Sequence, residues 1–132
     1  MIDEYNIIDF SPDVFHQVLN CRISLKKIRN ILLTHFHEDH FNIMEMGARM
    51  CAIPRLEDMV MVICSAPAAE QIAILFERFK DHNQENPFNY FQKYQFATVE
   101  PFQTYHFHNL EETPILSSHH SYGIGWNRGN GT

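Results

Sequence analysis

The segment from Thr34 to Phe41 contains four side chains that commonly bind metal ions, and all four lie within six residues: His35, His37, Asp39 and His40. Imidazole nitrogens combined with a carboxylate oxygen suit zinc first, with manganese or iron as alternatives. No cysteine lies in or beside this cluster, which argues against a soft-metal site. The spacing therefore predicts a metal site, and histidines that are merely solvated or buried are the weaker interpretation.

The four candidate ligands should approach a metal from two directions. The apolar run 31 to 33 predicts a buried strand, and an extended chain leaving it points His35 and His37, two residues apart, to the same side. Asp39 and His40 follow after the chain has turned, so they face the site from elsewhere. We expect His35 and His37 to bind one ion, with the other two residues available to a second.

The hydrophobic pattern around the cluster alternates between strands and helices. It predicts strands over 5–10, 30–34, 57–64 and within 91–118, and helices from residue 12, over 42–51 and over 66–81. Ser11 and Ser65 are the predicted N-caps of the first and last helix. The predicted apolar face of the first helix consists of Val14, Phe15, Val18 and Leu19. This alternation is typical of an α/β sandwich with helices outside the sheets.

Composition excludes several classes of protein. The chain has 132 residues, 45% of them hydrophobic, which indicates one globular domain. A net charge of −6 without a basic stripe argues against nucleic-acid binding through surface charge. Three cysteines without a Cys-x-x-Cys spacing indicate free thiols in a reducing compartment. No signal peptide or long apolar run is present, so we expect a cytoplasmic protein that does not enter the membrane.

Two segments, 7–13 and 31–40, resemble the metallo-β-lactamase superfamily, especially its branch of cyclic-phosphate phosphodiesterases. The resemblance implies an α/β fold, the metallo-β-lactamase-like αβ/βα sandwich, in which the histidine loop follows a buried strand. It also implies that Asp9, at the end of an earlier strand, supports this loop without binding the metal. The segment 112–119 resembles the strand that carries the third histidine of the first metal, so His119 would complete a site with His35 and His37. Neighbouring strand residues point to opposite faces, and His119 is favoured over His120.

The sequence departs from the family at both ends. No Asp or His follows His120, where the family has a bridging Asp and a final His, and the opening hairpin of the family is missing. We therefore expect an incomplete sandwich over 1–122, followed by a Gly/Asn-rich tail over 123–132 that is poorly ordered. One zinc ion is favoured over two. Open sheet edges would also favour a homo-oligomer.

The implied activity is metal-dependent hydrolysis of a small-molecule phosphodiester or ester, in which Asp39 holds a second ion or orients the attacking water. A truncated metal-binding remnant with little catalysis is one alternative. An interaction module with incidental histidines is another. His106 and His108 repeat the His-x-His spacing, but no Asp-x-His follows them. Both are predicted to be exposed histidines on an edge strand.

Overall fold

The computed structural model describes residues 3–37, 40–46, 59–82, 94–116 and 124–128. The strands in these ranges are β1 (Asn6–Ile8), β2 (Asn30–Leu32), β3 (Val60–Cys64), β4 (Tyr94–Thr98), β5 (Tyr105–Phe107), β6 (Leu110–Leu116) and β7 (Ile124–Arg128). The helices are α1 (Val14–Cys21) and α2 (Ala66–His82), with a 3-10 turn at Leu25–Lys27. Residues 43–46 are also helical, and residues 47–51 of the helix predicted over 42–51 lie outside the described ranges.

The strands form two sheets. In the first, β1, β2, β3 and β4 are neighbours in that order and all run parallel. Parallel neighbours need long crossovers, and α1 and α2 lie in two of them. Ser65 caps α2 as predicted, because its Oγ accepts a hydrogen bond from the backbone N–H of Ala68 at 3.4 Å. The second sheet is antiparallel in the order β5, β6, β7.

Strand β2 is buried on both faces, which explains its unbroken apolar sequence. Ile31 and Leu33 belong to the core that includes Ile72 of α2. Leu32, between them in sequence, belongs to a second core that includes Leu110 of the other sheet. Alternate residues of a strand point to opposite faces, so β2 lies between a helical layer and a second sheet. The predicted α/β sandwich is confirmed, with one helical layer in the described ranges.

The start of α1 differs from the prediction. The helix begins at Val14 with Asp13 as N-cap, and Asp13 makes no side-chain capping hydrogen bond. Ser11 is therefore not the N-cap; its carbonyl accepts a turn hydrogen bond from the N–H of Val14 at 3.1 Å. Leu19 was also wrongly placed on the buried face, since it is 77% exposed. Successive residues of a helix are about 100° apart around its axis. Leu19 therefore points away from the side on which Val18 packs against the core.

Residues 124–128, within the Gly/Asn-rich segment, form β7. This strand pairs with β6 in an antiparallel register that sets Ile124 opposite Leu116 and Gly125 opposite Ile115. Pairing with a neighbouring strand provides order that the local Gly and Asn content does not predict.

None of the helices in the described ranges is both long and apolar enough to cross a bilayer.

Candidate metal centre

The candidate site lies where β1 and β2 end, at the carboxyl edge of the parallel sheet. The backbone N–H of Asp9, just after β1, donates to the carbonyl of Leu32 at 2.9 Å. The N–H of Leu33, just after β2, donates to the carbonyl of Ile63 on β3 at 2.9 Å. The sheet thus holds the chain on both sides of the site. Carboxyl ends of parallel strands are the usual place for ligands in open α/β sheets.

Asp9 joins the two ends of the histidine loop. Its backbone has a φ of 57°, a left-handed conformation that Asp tolerates better than most residues. Its Oδ1 accepts hydrogen bonds from the backbone N–H of Thr34 at 2.8 Å and from Thr34 Oγ1 at 3.0 Å. Its Oδ2 lies 2.8 Å from Thr34 Oγ1 and 2.6 Å from His40 Nδ1. One carboxylate, 14% exposed, therefore fixes both residue 34 and residue 40.

Backbone hydrogen bonds close the same loop. The carbonyl of His37 accepts from the N–H groups of His40 and Phe41 at 2.9 and 2.8 Å, which makes a tight turn. The segment after β1 then pairs with the end of this turn: Phe10 donates to the His40 carbonyl at 2.7 Å and accepts from Asn42 at 3.0 Å. The loop is thus held by its own turn and by the neighbouring chain.

Three imidazole rings of the loop lie close together. The ring centroids of His35 and His37 are 4.7 Å apart, and those of His35 and His40 are 3.9 Å apart. Phe36 packs against the core cluster that includes Val14 of α1 and Ile72 of α2, with its ring 5.6 Å from that of Phe41. The alternation expected of an extended segment is therefore present, with the two histidines close together and Phe36 packed in the apolar core.

The hydrogen bond between His40 and Asp9 determines which nitrogen of His40 could bind a metal. A carboxylate only accepts, so Nδ1 of His40 carries the proton that is shared at 2.6 Å. In the neutral ring the lone pair is then on Nε2. Metal-binding histidines commonly have this arrangement, with a carboxylate or carbonyl on the other ring nitrogen.

Thr34 was not among the predicted site residues, yet it contacts both Asp9 and a histidine. Its Oγ1 lies 3.0 Å from Nδ1 of His35, in addition to its two contacts with the Asp9 carboxylate. Its position directly before the His-x-His pair was the only signal in the sequence. The role of Thr34 becomes clear only from its hydrogen bonds to the carboxylate of Asp9, which the folded chain brings beside it.

The structure brings together His35, His37, His40 and Asp9. The other members of the predicted set lie outside the described residues: Asp39, His119 and the alternative His120. Across the described ranges, no group of three or more His, Cys, Asp or Glu side chains has the geometry of a metal site. The chemistry of the described donors nevertheless fits zinc, because they are imidazoles and one of them is already oriented by a carboxylate.

The second His-x-His pair lies away from this loop. His106 is exposed on the edge strand β5, as predicted, with Nδ1 3.5 Å from a carboxylate oxygen of Glu111. His108 is exposed too, but it lies in the turn after β5 with a φ of 53°, so its assignment to the strand is wrong. β5 ends at Phe107 and β6 begins at Leu110, so His108 belongs to the short turn that connects the two strands.

A cavity of about 280 Å³ opens beside the loop. Asp9 and His40 line part of it, and Val14 and Val18 of α1 supply an apolar wall. The cavity therefore joins a polar edge that carries a candidate metal ligand to an apolar surface. Small-molecule sites often combine these two features.

Solved structures with this fold were found by comparison. A diphosphatase from the PhnP family is 23% identical, with a TM-score of 0.64 over 94% of this chain and 44% of that chain. The metallo-β-lactamase fold protein YhfI from Bacillus subtilis is 17% identical, with a TM-score of 0.63 over 93% of this chain and 45% of that chain. The Rm3 metallo-β-lactamase is 15% identical, with a TM-score of 0.53 over 96% of this chain and 47% of that chain. No family model and no curated protein matches the sequence.

The chain has the metallo-β-lactamase fold, as the sequence resemblance implied. It spans less than half the length of the solved structures that it matches, at 44% of the diphosphatase and 45% of YhfI. At these levels of identity the comparison establishes the fold alone.

Proposed function

We propose that this chain carries the metal centre of a hydrolase that acts on a small-molecule phosphodiester or ester. The observation that carries the proposal is the close grouping of His35, His37 and His40 at the carboxyl edge of the parallel sheet. The fold adds support, since one of its solved members is a diphosphatase and another a metallo-β-lactamase.

In this proposal, His35, His37 and His119 hold one zinc ion, with Mn²⁺ or Fe²⁺ as alternatives. Asp39 and His40 hold a second ion, or Asp39 orients the attacking water. A bound zinc ion would polarise the carbonyl or phosphoryl oxygen and lower the pKa of a water molecule from about 15.7 towards about 7. Asp9 holds the loop in place through its contacts with residues 34 and 40.

The cavity beside the loop gives the substrate a place to bind. Its apolar wall of Val14 and Val18 would accept an apolar group and exclude water from one side of the site. Its polar edge at Asp9 and His40 would keep the scissile bond near the metal ligands. This arrangement favours substrates with a charged or polar reacting group attached to a compact apolar part.

A second candidate is metal binding with little turnover. Asp39 and His40 are only two ligands for a second ion, and a hydrolase that needs two ions would then be weak. The two candidates make the same prediction for zinc uptake and opposite predictions for catalysis.

Hydrolysis of bis(p-nitrophenyl) phosphate by the zinc-loaded chain tests the proposal. We expect zinc-dependent release of nitrophenol that is abolished by a chelator and by His37→Ala. His16→Ala is the matched control, because this histidine is exposed on α1 and hydrogen-bonds to Asn20 at 2.9 Å. Zinc uptake without turnover would favour the second candidate, and failure to take up zinc would contradict both.

A further inference from the structure

A chain of hydrogen bonds connects Asp9 to His35 through the side chain of Thr34. Thr34 Oγ1 lies 2.8 and 3.0 Å from the two Asp9 oxygens and 3.0 Å from His35 Nδ1. We propose that Thr34 is a positioning residue that fixes the tautomer of His35 and so leaves its Nε2 as the metal-binding nitrogen. The inference rests on the proposed metal site and assigns a role to a residue that binds no metal.

The direction of each hydrogen bond follows from counting protons. The hydroxyl of Thr34 has one hydrogen, and an ionised carboxylate can only accept. The hydrogen must therefore point to Asp9, since two oxygen lone pairs 2.8 Å apart without a hydrogen between them would repel each other. Oγ1 is then an acceptor towards His35, so Nδ1 of His35 carries a proton. The lone pair of the neutral ring is on Nε2.

The same carboxylate acts directly on the second histidine. Nδ1 of His40 donates to Asp9 Oδ2 at 2.6 Å, which again leaves the lone pair on Nε2. Asp9 therefore sets the tautomer of two loop histidines, one by direct contact and one through a hydroxyl. The backbone N–H of Thr34 also binds Asp9 at 2.8 Å, so the relaying residue is itself held in place.

Replacing Thr34 by Val keeps the branched shape and removes the hydroxyl. His35 then loses Thr34 Oγ1 as an acceptor for its Nδ1 proton, and the ring can change tautomer or rotate. Removing such an outer hydrogen-bond partner of a metal ligand typically lowers metal affinity about 10- to 100-fold. Thr34→Ser keeps the hydroxyl, so its zinc affinity should stay within about threefold of the wild-type value. This change is smaller than the loss expected for Thr34→Val.

The first test needs no metal. Long-range proton–nitrogen NMR spectra of the 15N-labelled, metal-free chain report the tautomer of each ring; they are recorded at about pH 8.5, roughly two pH units above the reference histidine value. We expect His35 in the Nδ1–H form in the wild type and in Thr34→Ser, and a shift towards the Nε2–H form in Thr34→Val. The matched control is Thr104→Val, which removes a hydroxyl that hydrogen-bonds only to Thr113 among the contacts described, at 2.8 Å in the second sheet.

The second test is calorimetric zinc titration of the same four proteins, with circular dichroism to verify that each is folded. We expect weaker binding only in Thr34→Val. An Nε2–H tautomer of His35 in the wild type, or unchanged spectra and affinity in folded Thr34→Val, would overturn the inference. If the wild type binds no zinc, the proposed function fails, and the tautomer spectra alone decide whether the relay exists. A Thr34→Val chain that does not fold leaves the decision to the wild-type and Thr34→Ser spectra.

Discussion

Replacing Asp9 by Asn should lower the free energy of unfolding of the metal-free chain by about 1.5 to 3 kcal/mol. Asn has nearly the same shape as Asp and tolerates the left-handed backbone at this position, where φ is 57°. The change therefore isolates the carboxylate from the backbone. Asp9→Ala would add a conformational penalty that has nothing to do with the loop.

The magnitude follows from the hydrogen bonds of the carboxylate. The amide oxygen of Asn can keep the contact with the Thr34 N–H, now 2.8 Å long. Its NH₂ group would face the Nδ1–H of His40, so the ring must move its proton to Nε2 or turn away, and the charge-assisted hydrogen bond is lost in either case. Loss of a hydrogen bond to a charged group costs about 1.5 to 3 kcal/mol. His40 is 35% exposed and can regain a hydrogen bond to water, which limits the total.

Urea unfolding followed by circular dichroism, with a chelator present, measures this loss by linear extrapolation. Asp13→Asn is the matched control, because Asp13 caps α1 without a side-chain hydrogen bond and should change stability by less than about 0.5 kcal/mol. If Asp9→Asn is no more destabilising than the control, the carboxylate does not hold the loop and the argument for its role fails.

Three further predictions concern metal binding and thiol reactivity. The purified chain should contain about one divalent ion by elemental analysis after mild dialysis, mainly zinc; a metal-free chain that also takes up no zinc on titration would contradict this. His37→Ala should remove most zinc affinity in calorimetry, whereas exposed His106→Ala and His108→Ala should leave it near wild type, and equal losses in all three would place the site elsewhere. Burial raises the pKa of the Cys64 thiol to about 12, so at about pH 8 it should alkylate far more slowly than exposed Cys21. Mass spectrometry of the labelled peptides checks this, and similar rates at the two sites would contradict it.

The local parts of the site could be predicted from the sequence because their signals are local. The unbroken apolar run of β2 predicts a buried strand, and the two-residue spacing predicts that His35 and His37 lie on one side. Thr34 could not be assigned a role in this way. Its function depends on the carboxylate of Asp9, which is 25 positions away in sequence and close only in the folded chain.

The errors have the same physical origin. Ser11 and Pro12 form an acceptable helix start by local rules, yet the chain makes a turn there and α1 begins at Val14. The composition of residues 124–128 likewise gives no local sign of the strand β7, which pairs with β6 along its whole length. Strand formation depends on the neighbouring strand more than on intrinsic preference, so a single-sequence pattern under-predicts such strands.

The all-parallel order of the first sheet has a consequence for how the site comes into being. Asn6 on β1 and its partner Asn30 on β2 are separated by 24 positions in sequence, and the pairs from β2 to β3 and from β3 to β4 are separated by roughly thirty or more. Contacts this distant in sequence form slowly, because the intervening chain must lose entropy before they stabilise anything. Asp9 directly follows β1 and the histidine loop follows β2, so pairing of these two strands brings Asp9 to the loop. We therefore expect the ability to capture zinc during refolding to appear together with the sheet, in the slowest kinetic phase, rather than in an early collapsed state.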